Sequence, residues 1–377
     1  MMRRPTTFQG LMVQAASGSY LLWAAGAAIP LIRIDFGISR TLASMHSIST
    51  GIGAVMGAHY AIRLSQKLTR EILVRVMVFT MVIGILGLIN GPSIWITVPS
   101  CGIAAFSQTI INAISLSEIS HDDKPSLRRI FIQTGIQAGV GASAIFFISA
   151  SLHANLGWRL PILIGILTLS PMALFMIWRV KFLEAPKVQS QKLELGTTRS
   201  THYRIFTLGV LMSFVEMGVG FWSIDLLISR GAGVALGAFG SALLSIAICG
   251  FRLALAFTHL AVGQIMRMAV TLMFLGVGII CITNSSTVTM VGLVIAGAGS
   301  AALFSGGIFQ ISEGFQDAQI RISRYMMGTA LSYGLTPFVL AIVFDNAGFI
   351  AGYLLLLPVL TTAFLMWRKM GAPQKHN

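Results

Sequence analysis

The chain has 377 residues, 55% of them hydrophobic and only 10% charged, with a mean hydropathy of +0.82. A typical soluble domain carries about 25% charged residues, so this composition excludes a water-soluble globule and sends the apolar excess to lipid. The net charge of +14 does not indicate nucleic-acid binding. Its basic residues sit in short segments between apolar runs, as membrane topology requires, and do not gather on one face of a charged domain. Cys101, Cys249 and Cys281 all fall inside apolar runs without metal-ligand spacing, so they read as small packing residues.

A helix needs about 20 mainly apolar residues to cross the hydrocarbon. Runs of that kind are expected at residues 10–32, 41–62, 72–91, 94–118, 129–152 and 157–178. Six more follow at 205–228, 235–258, 265–283, 287–311, 325–345 and 348–367. The first is longer than a signal-peptide core and is read as a retained membrane helix. Turn-forming groups such as Asn90-Gly91-Pro92 and Asp345-Asn346-Ala347-Gly348 separate the runs. Alternating ten-residue strands are absent, which leaves helices as the spanning element.

With a cytoplasmic N-terminus, 21 of the 26 Lys and Arg fall on the cytoplasmic side. Arg33, Arg40, Arg159 and Arg230 fall outside, and Arg252 lies within a span. The bias predicts a multi-pass protein of the cytoplasmic (inner) membrane with both termini on the cytoplasmic side. The hydrophilic stretch 181–204 reads as a cytoplasmic linker joining an N-terminal half, 1–180, to a C-terminal half, 205–377.

Three echoes support that division. Ile38-Ser39-Arg40 returns as Ile228-Ser229-Arg230, Arg63-Leu64 as Arg252-Leu253, and Trp178-Arg179 as Trp367-Arg368, at offsets of 190, 189 and 189 residues. The expected fold is therefore an all-α membrane protein with twelve transmembrane helices in two pseudo-symmetric six-helix bundles.

Between the second and third spans, Gly57, Arg63, Lys67 and Arg70 keep the glycine and basic residues of a loop signature, with Ala61 at its acidic position. Gly157-Trp158-Arg159 opens the sixth span, and Gly135, Gly139 and Gly141 lie in the fifth, with Val140 where exporters carry proline. On these residues and the six-plus-six layout, the chain resembles the major facilitator superfamily over essentially its whole length. The resemblance implies a small-molecule transporter that works by alternating access, with a cavity between the halves lined by spans one, four, seven and ten and their neighbours. The subfamily is not read from these residues. The fold could also persist in a sensor or scaffold that moves no solute.

Ionisable residues at mid-membrane depth are costly and usually functional. Glu216 is the one acid expected near the middle of a span, the seventh, and is the proton-coupling candidate. Apolar surroundings favour a neutral carboxyl, so such a residue can take up and release a proton. Tyr20, Trp23, Gln108, Asn112, Gln137, Trp222 and Tyr333 are the candidates for the substrate cavity. Because Arg252 repeats Arg63, it is grouped with Gly57, Arg63, Lys67 and Arg70 at a cytoplasmic gate. Asp225 and Asp345 read as solvated or helix-capping acids, and Arg33 with Asp35 as a boundary pair. The sequence holds no nucleotide-binding loop, metal-ligand pair or nucleophile motif. No enzyme activity, cofactor or metal is expected; the expected partners are a small solute, protons and the bilayer, and the chain is expected to be monomeric.

Overall fold

The computed structural model describes residues 5–120, 127–179, 199–313, 315 and 318–370. These residues form helices joined by short turns. In the N-terminal half they are α1 (Pro5–Phe36), α2 (Arg40–Ala43), α3 (Met45–Lys67), α4 (Arg70–Asn90), α5 (Ile94–Ser120), α6 (Leu127–His153) and α7 (Arg159–Arg179). The C-terminal half supplies α8 (Arg199–Gly220), α9 (Ser223–Ser229), α10 (Val234–Ala256), α11 (Val262–Ile282), α12 (Ser286–Ser300), α13 (Leu303–Ser312) and α14 (Ala318–Lys369). The last six residues of the expected linker thus belong to α8; the rest of it lies outside the described residues, as do both chain ends.

Among the described residues, ten helical segments are long and apolar enough to cross a membrane. Their outward faces carry large apolar side chains, including Phe79, Ile83, Leu167 and Ile282, all more than 60% exposed. Water would penalise such a surface, whereas lipid solvates it. Two of the expected spans are each built from two helices. The seventh is interrupted at Phe221–Trp222, between α8 and α9, and the tenth at Ala301–Ala302, between α12 and α13. The 52 residues of α14 take in the last two expected spans and contain one non-helical residue, Gly348, at φ 80°. A side chain rarely adopts that backbone conformation, so glycine permits the chain to reverse there.

The repeat legible in the sequence recurs in the elements. Both α3 and α10 have 23 residues and start 189 residues apart; α4 and α11 both have 21 and start 192 apart. In the N-terminal half α5 packs on α3 and α4, and α1 on α6 and α7. In the other half α8 packs on α14, and α12 on α10 and α11. The halves meet chiefly where α6 lies along α10 and where α3 crosses α14.

Candidate functional site

The contact of α3 with α14 comes closest near the start of α3. A Cβ on Gly51 would fall 2.7 Å from the Gly334 Cα, so no side chain fits between these backbones. Beside it, the Ser47 hydroxyl donates to the Gly334 carbonyl at 3.2 Å. At the same end of the molecule, Ser149 of α6 donates to the Ala235 carbonyl of α10 at 2.8 Å.

Charged residues close this end further. Arg33, in the last turn of α1, donates to Asp225 of α9 at 2.6 Å. Arg40 of α2 lies 3.7 Å from the other Asp225 oxygen and 3.1 Å from Asp345 of α14. Asp345 also accepts from the Thr41 amide and hydroxyl at 3.0 and 2.9 Å. The Arg40 guanidinium stands 4.8 Å from the Phe349 ring centre, in range of a cation–π contact. The N-terminal half thus contributes the cations and the C-terminal half the anions.

Asp225 is only 1% exposed, while Arg33 and Arg40 keep about a fifth of their side-chain surface in contact with solvent. This corrects the reading of Asp225 as a solvated acid; Asp345 is exposed and accepts from the first turn of α2, in keeping with its reading. Arg33 does not pair with Asp35, which instead accepts from the Trp158 indole at 3.1 Å and pairs with Arg159 at 2.9 Å. The helix break before α9 places Asp225 in the first turn of that helix, where a carboxylate also meets the positive end of the helix dipole.

Deeper in the molecule, Glu216 of α8 is paired, contrary to its reading as an isolated carboxylate. It accepts from Arg252 of α10 at 2.6 Å. Arg252 is 5% exposed and also donates to the Ala301 carbonyl at 3.0 Å and the Thr134 carbonyl at 3.3 Å. Ala301 stands where α12 gives way to α13, and its backbone oxygen there accepts the guanidinium. Thr134 belongs to α6, in the N-terminal half, and its hydroxyl shares a hydrogen bond with Ser305 of α13 at 3.1 Å. Arg252 thereby ties α8, α10, the α12–α13 break and the opposite half together.

Nearly the whole chain superposes on solved transporters of low sequence identity. A D-xylose–proton symporter gives a TM-score of 0.74 at 15% identity, with 99% of each chain covered. The nucleoside transporter NupG gives 0.72 at 13%, covering 97% of this chain and 99% of that one. The human organic anion transporter MFSD10 (TETRAN) gives 0.65 at 14%, covering 97% and 100%. The chain has the major facilitator fold. By sequence, no family model and no curated protein matches it.

Within the major facilitator fold the candidate residues part company. Tyr20 donates to the Pro161 carbonyl at 3.1 Å, with its ring against Gly165 of α7, and Trp23 lies against Gly141 of α6. Trp222 is fully buried and donates to the Pro337 carbonyl at 3.0 Å. Tyr20 and Trp222 are thus buried between helices in this conformation, while Trp23 is half-buried. Gln108 is 2% exposed, lies over Gly18, and donates to Asn112 at 3.0 Å. Asn112, Gln137 and Tyr333 are half-buried. Gly57 lets α3 approach α5, since a Cβ there would fall 2.6 Å from the Phe106 carbonyl oxygen.

The five gate candidates do not form one cluster. Arg63 and Lys67 are exposed, with Arg63 near the Tyr60 ring; Arg70 is buried, and Arg252 belongs to the Glu216 pair. His46 is fully buried between the Ala43 carbonyl and the Thr97 hydroxyl, both bonded to its ring nitrogens. Sequence reasoning missed the Arg33, Arg40, Asp225 and Asp345 network. The available signal was the presence of basic residues after the first expected span and of acids at the ends of the seventh and eleventh.

Proposed function

We propose that the protein is a secondary active transporter that moves a small solute across the cytoplasmic membrane by alternating access. The observation that carries this reading is the ion-pair network joining the two halves at one end, Arg33 and Arg40 to Asp225 and Asp345. Ion pairs between two rigid halves form a reversible latch, because water can solvate both partners once they separate. Twelve crossings fit the elements: the ten apolar segments, α3 as a further span, and α14 divided into two at Gly348. In this reading the halves are six-helix bundles, residues 181–204 form the cytoplasmic linker, both termini are cytoplasmic, and the protein works as a monomer. The latched end then faces outward, and the described conformation is closed to the outside.

Glu216 is the favoured proton carrier. Its charge is matched by Arg252 in this conformation, and parting the pair would leave a carboxylate that protonation neutralises. The coupling step therefore belongs to the Glu216–Arg252 pair and is not a property of an isolated acid. Solved proteins of the same fold include a xylose–proton symporter and a nucleoside transporter, which supports transport of a small polar solute. The test is exchange of labelled solute in proteoliposomes: wild-type protein should catalyse it, while binding without exchange would favour the sensor or scaffold alternative.

A further inference from the structure

We propose that the cleft between the start of α11 and the end of α14 binds the phosphate headgroup of an anionic membrane phospholipid. The proposal rests on membrane insertion of these helices and is independent of transport. The cleft has a volume of about 170 Å³ and is lined by Gly263, Arg267, Phe364, Trp367 and Arg368. Pockets that enclose a whole small ligand usually exceed about 300 Å³, so this one suits a headgroup whose tails remain outside.

Two arginines line the cleft. Arg267 and Arg368 are both exposed, and neither side chain makes an ion pair or hydrogen bond with a described residue. A phosphate between them would complete both, since the planar guanidinium matches phosphate oxygens in pairs. The aromatic wall is held in place. Trp367 is 5% exposed, donates to the Gly306 carbonyl at 3.3 Å, and stacks on Phe364 at 5.9 Å between ring centres. Gly263 keeps the mouth open, with nothing within 4 Å of where a Cβ would stand. Leu365, half exposed, lies one turn from Arg368 on the same face of α14 and offers apolar surface to an acyl chain. Basic pockets between membrane helices are the usual setting for anionic headgroups, and tryptophan favours the same depth.

The internal repeat supplies a control. Arg75 is the sixth residue of α4, as Arg267 is of α11, and Trp178 corresponds to Trp367. Yet Trp178 is 74% exposed and forms no wall. The site belongs to the C-terminal half alone.

Native mass spectrometry of the full-length protein in detergent tests this, with phosphatidylglycerol, phosphatidylcholine or inorganic phosphate added. The wild type should retain phosphatidylglycerol at least about tenfold more tightly than phosphatidylcholine. The double variant Arg267→Gln/Arg368→Gln should lose that preference, while Arg75→Gln keeps it. Gly263→Leu, which retains both charges but fills the mouth, should also lose it, so the test survives poor folding of the double variant. Equal retention of the two lipids, unchanged preference in Gly263→Leu, or displacement of the lipid by equimolar inorganic phosphate would each overturn the proposal.

Discussion

Replacing Asp225 by Asn removes the central charge of the proposed latch while keeping side-chain size. Asp225 is almost fully buried and takes a 2.6 Å bond from Arg33, with Arg40 at 3.7 Å. A hydrogen bond to a charged group contributes about 1.5–3 kcal/mol. Arg33 and Arg40 remain about a fifth exposed, so water recovers part of that on separation and the loss should be about 1–2 kcal/mol. That is a shift of roughly 5–30-fold in the ratio of latched to unlatched molecules. Spin labels at Leu156 and Asn284, exposed positions at this end in opposite halves, would report it by pulsed dipolar spectroscopy in a background lacking the three native cysteines. The separated population should rise in Asp225→Asn. Adding Arg33→Gln should produce less than the sum of the two single effects, because both act on one bond. An unchanged distance distribution in Asp225→Asn, or strict additivity with Arg33→Gln, would refute the latch.

Three further outcomes are expected. Glu216→Gln should insert and exchange solute but lose accumulation driven by a pH gradient. It should also melt at lower temperature, because it leaves the buried Arg252 charge without a counterion, an effect of about 3–5 kcal/mol when one partner of such a pair is removed; Glu216→Gln/Arg252→Met should recover part of the loss in a thermal-shift assay, and full gradient-driven uptake by Glu216→Gln would remove it from the proton step. Gly51→Val should separate the latched end more than Asp225→Asn, since its nearest obstacle is Gly334 backbone; unchanged label distances would show that this crossing does not set the closure. In intact cells, a cysteine at Ser286 should react with an impermeant thiol reagent and one at Gln189 should not, and the reverse pattern would invert the topology.

The repeat was legible because membrane helices need apolar runs of fixed length and because three residue echoes recur at nearly one offset, which matches the starts of α3 and α10. The partners of Glu216 and Asp225 were not legible. Arg252 is 36 residues from Glu216, and Arg33 is 192 from Asp225, separations that only the packing of helices brings together. The echo of Arg63 in Arg252 did not carry their surroundings: Arg63 is exposed, whereas Arg252 lies against the α12–α13 break and reaches Thr134 of the other half. Tyr20 and Trp222 show the same limit. Depth along a span was legible for both but their partners were not: Tyr20 donates to the Pro161 carbonyl, and Trp222, at the break between α8 and α9, donates to the Pro337 carbonyl.

The central claim, that two halves alternate around a transported solute, is tested most directly by solute counterflow. A thermal-shift screen of the purified protein against small polar metabolites would first supply a ligand. Proteoliposomes preloaded with that ligand should then take up its labelled form transiently above equilibrium. A reducible bis-methanethiosulfonate bridge between cysteines placed at Arg33 and Asp225 should abolish that uptake, and reduction should restore it. A ligand that stabilises the protein but shows no counterflow, or counterflow that persists with the halves cross-linked, would contradict the account.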